Sequence, residues 1–249
     1  MNRDELTAYL NKRLNLNAFN GDVSNNGLQV AGSMEVSRIL AGVDGCGALF
    51  RRAVEEKADF VIVHHGISWG SEPRRFTGIT AERLKLLFQH NISLYACHLP
   101  LDAHPELGNN ARLCDEAKII NRVPCCNYHG LNIGFAGDFA EPLSLQALFE
   151  RFGNQGTILG DPDRMLRSAA VVSGGGGNDA LDDAAARKAD VLITGELSHE
   201  MYHNALENGV AVLALGHYAS ETCGVRAVLA DLQKTFGLPG VFADIPTGL

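Results

Sequence analysis

The sequence predicts an α/β protein made of two similar three-layer α/β lobes related by internal duplication. Three observations carry that prediction. Short β-branched runs alternate with amphipathic stretches, the pattern of parallel strands joined by helices. A block in the first half of the chain recurs in the second. Polar, chemistry-bearing residues gather where the strands of such sheets would end.

The strand candidates, in chain order, are 37–43, 59–64, 92–97, 131–136, 168–173, 190–194, 210–215 and 241–244. Helices are expected over 3–14, 47–57, 80–90, 106–117, 144–152, 179–188, 197–207 and 220–236. Asp161-Pro162 and the stretch Arg122-Val123-Pro124 read as breakpoints, because proline removes a backbone donor and restricts its neighbour.

The block Ser37 to Phe60 aligns without gaps onto Ser168 to Val191, and both run strand, Gly-rich turn, helix, Lys-Ala-Asp, next strand. The alignment sets His64 and His65 opposite Gly195 and Glu196. One strand later, His98-x-x-x-Asp102 matches His217-x-x-x-Glu221 with one small gap. From this repeat the first lobe is read as discontinuous, 1–125 and 220–249, and the second as 126–219. Ligands of parallel α/β sheets gather outside the carboxyl ends of the strands. Two lobes packed about a pseudo-twofold would bring these polar ends to one cleft.

Composition narrows the function. The 249 residues are 46% hydrophobic and 20% charged, an ordinary globular balance. A net charge of -8 excludes nonspecific nucleic-acid binding as a leading role, since a phosphate backbone is gripped by clustered Lys and Arg. Arg51-Arg52 and Arg74-Arg75 make no stripe. No apolar run is long enough to cross a bilayer, and the polar start of the chain lacks a signal-peptide pattern. The expected location is cytoplasmic, with no membrane partner. The six cysteines show no zinc-ribbon spacing and are read as free, mostly buried thiols; the adjacent pair Cys125-Cys126 is given no role.

The residues that end the strands suggest metal chemistry. Imidazole with carboxylate suits Zn, Mn, Fe, Co or Ni. His64 and His65 leave a buried strand together, and each His-x-x-x-carboxylate supplies an imidazole and an acid that can bridge two ions. The reading therefore places His64, His65, Asp102, His217 and Glu221 as ligands of two divalent ions in the cleft between the lobes. His98, Glu196 and His199 are candidates to support those ligands or to transfer protons.

Competing readings accompany these. His199-Glu200-Met201-Tyr202-His203 satisfies the H-E-x-x-H pattern of zinc proteases. Gly174 to Gly177 opens a helix and is read as a tight turn or a phosphate contact. Asp44 is a candidate to face the cleft, and the loop from Gly66 to Gly78, with Trp69 and Arg74-Arg75, is a candidate substrate wall.

Taken together, Asn26-Gly-Leu-Gln-Val, Val61-Ile-Val-His-His-Gly, His98-Leu-Pro-Leu-Asp, Thr194-Gly-Glu-Leu-Ser-His and His217-Tyr-Ala-Ser-Glu resemble the NIF-three-like dinuclear metal-center family, the type-two GTP cyclohydrolase I homologues. The resemblance implies the same five ligands, two α/β lobes and a ring-shaped homohexamer. Gly66 departs from it, since a proline often follows the two histidines. The function so implied is a metal-dependent hydrolase of a nucleotide or similar small polar or phosphorylated molecule. The alternatives are a non-enzymatic metal-binding ring or partner-binding scaffold, and the H-E-x-x-H protease.

Overall fold

The computed structural model describes residues 1–71 and 75–249, so Arg74 of the expected arginine pair lies outside the described residues. The chain forms two units: residues 1–101 with 224–245, and residues 102–223 with 246–249.

The first unit is built on a five-stranded sheet in the order β1 (Gly27–Val30), β4 (Ser93–Ala96), β3 (Phe60–His65), β2 (Ile39–Asp44), β11 (Gly240–Phe242). The last four strands run parallel, and β1 is antiparallel to β4. β2, β3 and β4 are buried on both faces, as parallel strands between layers must be. Leu40, Val61, Val63, Leu94 and Ala96 pack with Leu49, Phe50 and Ala53 of α2 (Gly47–Glu55) and Leu87 of α3 (Gly78–Gln89). On the other face, Tyr95 donates its hydroxyl to Asn11 of α1 (Arg3–Arg13).

The second unit holds a six-stranded sheet, β5 (Ile119–Tyr128), β6 (Leu131–Ser144), β8 (Met165–Val172), β9 (Val191–Thr194), β10 (Ala211–Ala214), β7 (Thr157–Leu159). Here alternation divides the side chains between two cores. Ala169, Val171, Val191 and Ile193 face Leu113 of α5 (Asn109–Ala117) and Leu148 of α6 (Leu145–Arg151). Ala170, Val172 and Leu192 face Leu181 of α7 (Gly177–Ala186) and Ala205 of α8 (Met201–Asn208).

Three sequence expectations change. The strands are not all parallel: only β8, β9 and β10 are parallel in the second sheet, and β5, β6 and β7 pair antiparallel. His129 and Gly130, with φ of 50° and 87°, make the tight turn that folds β5 back as β6. Pro124, expected at a breakpoint, lies within β5, where an edge strand tolerates its missing donor. Because β5 pairs with β6, residues 102–125 group with the second unit, although the sequence reading put them in the first lobe.

The internal duplication is visible in local detail. Asp59 accepts from the Ser37 N–H and hydroxyl and from the Arg38 N–H. Asp190 accepts from the Arg167 and Ser168 N–H groups and from the Ser168 hydroxyl. Each aspartate thus ties the strand before its helix to the start of the strand after it. The preceding helices also end alike: Lys57 (φ 54°) and Lys188 (φ 59°) are left-handed. Ala58 and Ala189 then donate back to Ala53 and Ala184, each at 2.9 Å, closing the same six-residue cap. Asp59→Ala and Asp190→Ala should each cost about 1–2 kcal/mol, as backbone donors lose an ionised acceptor. Urea unfolding of the two variants checks this, and equal costs would mark the two clamps as equivalent.

Candidate metal centre

In the first unit, parallel β3 delivers two histidines at its carboxyl end. His64 is fully buried, and its Nδ1 lies 2.9 Å from the Cys97 carbonyl oxygen. A carbonyl only accepts, so Nδ1 carries the proton and Nε2 keeps the lone pair that a metal takes. His65 does the same through Asp44, with Nδ1 to Oδ1 at 2.8 Å. Asp44, at the end of β2, therefore supports a histidine.

His98 follows β4 and completes the group. Its Nδ1 is 2.9 Å from Asp22 Oδ1, and its backbone N–H donates to Asn26 Oδ1. Burial alone would raise the Asp22 carboxyl. The hydrogen bond and charge of His98, with bonds from the Ser24 backbone and Asn26, outweigh it and hold the group below its ordinary range. The three imidazoles stand 4.7–5.6 Å apart between ring centroids. One nitrogen from each lies within 4.8 Å of the others, a spacing that suits shared metal binding. His98, expected in support, lies close enough to His64 and His65 for all three nitrogens to face one point. Trp69 lies edge-on to His98 at 5.1 Å and donates its indole N–H to the Gly66 carbonyl, so the loop after β3 does wall this group. Gln29 anchors the loop, accepting from the Ile67 and Ser68 N–H groups. A side chain at Gly66 would meet the Gln29 amide at 2.3 Å, so Gln29 would have to shift from its hold on the loop.

In the second unit, Asp102 ends the short α4 (Leu99–Asp102) and is nearly fully buried. Its Oδ1 accepts from Asn109 Nδ2 at 2.8 Å and from Ser173 Oγ at 2.9 Å, which fixes the plane of the carboxylate. His217 opens α9 (His217–Ser220), with its Nδ1 2.5 Å from Glu196 Oε1 and its Nε2 3.4 Å from Glu221 Oε1. An oxygen of Asp102 and one of Glu221 lie within 4.8 Å of each other. Glu196, expected to shuttle protons, here orients His217.

The glycine turn after β8 is structural at its first residue. Gly174 (φ 62°) donates its N–H to Ser220 Oγ and so has none to offer a phosphate. A Cβ on it would lie 2.4 Å from Glu221 Oε1 and 3.3 Å from His217 Nε2. Beside Glu196, an open groove of about 700 Å³ is lined by Thr157, Ser198, Tyr218 and the chain end near Leu249.

The H-E-x-x-H reading fails on geometry. α8 begins at Met201, and His199 lies in the turn that leads into it. Both are exposed, and among the described residues no group of three potential ligands includes either. His199 is equally unsupported as a proton-transfer residue.

With paired strand ends, oriented imidazoles and a repeated frame in place, comparison with known proteins decides the family. A model of Duf34/NIF3 (NGG1p interacting factor 3) matches residues 1–247. The chain belongs to the Duf34/NIF3 family. It is similar to a Pyrococcus horikoshii protein named GTP cyclohydrolase 1 type 2 homolog, 44% identical over 263 positions and spanning both chains in full. A Deinococcus radiodurans protein of the same name is 39% identical, over 99% of this chain and 94% of its own. Among solved structures, a Thermus thermophilus protein superposes with a TM-score of 0.91 at 41% identity over all of both chains. HcgD from Methanocaldococcus jannaschii gives 0.84 at 26% identity, covering 98% of each.

Sequence reasoning missed Asp22, Asn109 and Ser173: Asp22 and Asn109 lie outside the aligned blocks, and Ser173, inside the second block, stands opposite Gly42 of the first and so has no polar counterpart; the Asn26 motif four residues after Asp22 was the available clue. Because the Asp22 carboxyl is held below its unfolded value, its stabilisation is complete above the ordinary carboxylate range and lost as pH falls through the lowered value. Asp22→Asn should therefore flatten the acid limb of a Tm-versus-pH curve. Gly174→Ala should displace Glu221 and strain the backbone, costing about 1–3 kcal/mol and lowering bound metal. Thermal melts and metal analysis of that variant check both effects.

Proposed function

We propose that this Duf34/NIF3 protein holds two divalent ions through His64, His65, Asp102, His217 and Glu221, and hydrolyses a nucleotide or similar small polar substrate. One observation carries the reading: each imidazole of the set has its Nδ1 committed to an oxygen acceptor, which presents Nε2 as a ligand. A histidine kept only for packing needs no such tautomer. The donors are imidazole nitrogens and carboxylate oxygens, a set that fits Zn, Mn, Fe, Co or Ni. Bound ions would supply Lewis acidity and an activated water at neutral pH.

The chain's own groups do the rest. Asn109 and Ser173 donate to Asp102 and hold it in one orientation. His98, tied to Asp22, is the candidate to hold or pass a proton through its other nitrogen. The groove beside Glu196 offers room for a small polar molecule. Relatives named GTP cyclohydrolase 1 type 2 homolog support a nucleotide as the first substrate class to try. We also propose a homohexameric ring, for which light scattering should give about six times the 26.7 kDa chain mass.

Metal analysis after chelator-free purification should find about two divalent ions per chain, lost in Asp102→Ala combined with His217→Ala. Hydrolysis of nucleotides should disappear with the metal. Activity that persists after complete metal removal would sink the hydrolase reading, and metal without any turnover would leave a scaffold. Glu200→Ala should change neither metal content nor turnover, whereas a zinc protease would lose its general base.

A further inference from the structure

The adjacent thiols of Cys125 and Cys126 stand apart from every residue used so far. On an extended strand, neighbouring side chains point to opposite faces. Here both cysteines are buried and their sulfurs are 3.2 Å apart. The cause is Cys126, whose φ of 57° is left-handed, a conformation that costs a residue with a side chain of order 1 kcal/mol or more. Packing alone gives no reason for that cost, because a Val or Leu in regular β conformation would fill the same apolar layer.

The surroundings hold the arrangement in place. The Cys126 N–H donates to Asp183 Oδ2 at 2.7 Å, and Arg187 Nε donates to the same oxygen at 3.0 Å. Across the hairpin, Gly134 leaves room, since a Cβ there would lie 3.1 Å from the Cys126 sulfur. Two sulfurs and one carboxylate oxygen, one from each residue, all lie within 4.8 Å of one another. β5 is the sheet edge, and the Asp183 side chain is 28% exposed, so the group can be reached from solvent past Asp183.

The geometry points to a second cation site, formed by Cys125, Cys126 and Asp183, that takes one soft divalent ion of the Zn²⁺ or Cd²⁺ class. Thiolates select such ions over Mg²⁺ and Ca²⁺. The charges also balance. Counted with both sulfurs as thiols, the empty group is neutral because Asp183 and Arg187 form an ion pair. On binding, each sulfur exchanges its proton for a bond to the ion. Two protons leave, and two thiolates, Asp183, Arg187 and the divalent cation again sum to zero. No electron is transferred. The Arg187 charge, which alone would repel a cation, is what makes the loaded site neutral in a region of low dielectric.

The test is a Cd²⁺ titration of the full chain, followed by the sulfur-to-cadmium charge-transfer band in the ultraviolet. That band is blind to ions held by histidine and carboxylate, so it reports on this site alone among the two proposed. The expected result is a band that saturates at one ion, with two sulfurs around cadmium by X-ray absorption. Cys125→Ser combined with Cys126→Ser should abolish it, and Asp183→Asn should weaken Cd²⁺ binding about tenfold. Cys114→Ser, at another buried thiol, should change nothing. Should the double variant not fold, the single Cys125→Ser must still lose half the sulfur signal or more. A missing band, fewer than two sulfurs, or a band undiminished by Cys125→Ser overturns the proposal.

Discussion

Each histidine of the candidate centre is held by one kind of contact, an Nδ1–H given to an oxygen that cannot give a proton back. For His64 the acceptor is a backbone carbonyl, and for His65, His98 and His217 it is a carboxylate. That contact sets the tautomer, the ring orientation and the basicity of the remaining nitrogen together. Much of the nearby structure serves it. β2 ends at Asp44, β4 ends so that Cys97 presents its carbonyl, and the turn after β9 carries Glu196. A protein that needed these histidines only as filling would have no use for four separate acceptors.

The duplicated frame explains why such contacts can be built twice with different residues. Asp59 and Asp190 clamp equivalent strand starts, and Lys57 and Lys188 end equivalent helices. The frame fixes where a strand ends, and the residues just past that end are then free to differ. In the first copy they are His64 and His65. In the second they are Gly195 and Glu196, where glycine allows Gly174 and Ser220 to approach closely and glutamate orients His217. Matched positions thus carry different side chains in the two copies of one architecture.

The parts of the fold that were legible in the sequence are those with regular spacing. β2, β3, β4, β8, β9 and β10 carry continuous apolar runs, and their helices carry amphipathic ones. β1, β5 and β7 escaped because edge or antiparallel strands are short or half exposed; β5 buries only Ile119, Cys125 and Cys126. The candidates His64 and His65 were legible as an adjacent pair ending an apolar strand, and Asp102, His217 and Glu221 as members of a repeated His-x-x-x-carboxylate pattern. Asp22 and Ser173 were not, since a side chain that hydrogen-bonds across 76 or 71 residues leaves no local pattern, and Asn109, seven residues from Asp102, has no counterpart in the repeat. The H-E-x-x-H motif shows the converse error: its spacing is right, but the helix that would give it meaning starts two residues too late.

The sequence by itself determined the strand–turn–helix units, their duplication and the residues at the ends of the strands, because hydrophobic period and repeat are local properties of the chain. Tertiary structure alone decided which strands pair antiparallel, which acceptor each imidazole finds, and that Cys125 and Cys126 share one side of a strand. Those outcomes depend on partners distant in sequence and on a single backbone angle, and neither is written in spacing or composition.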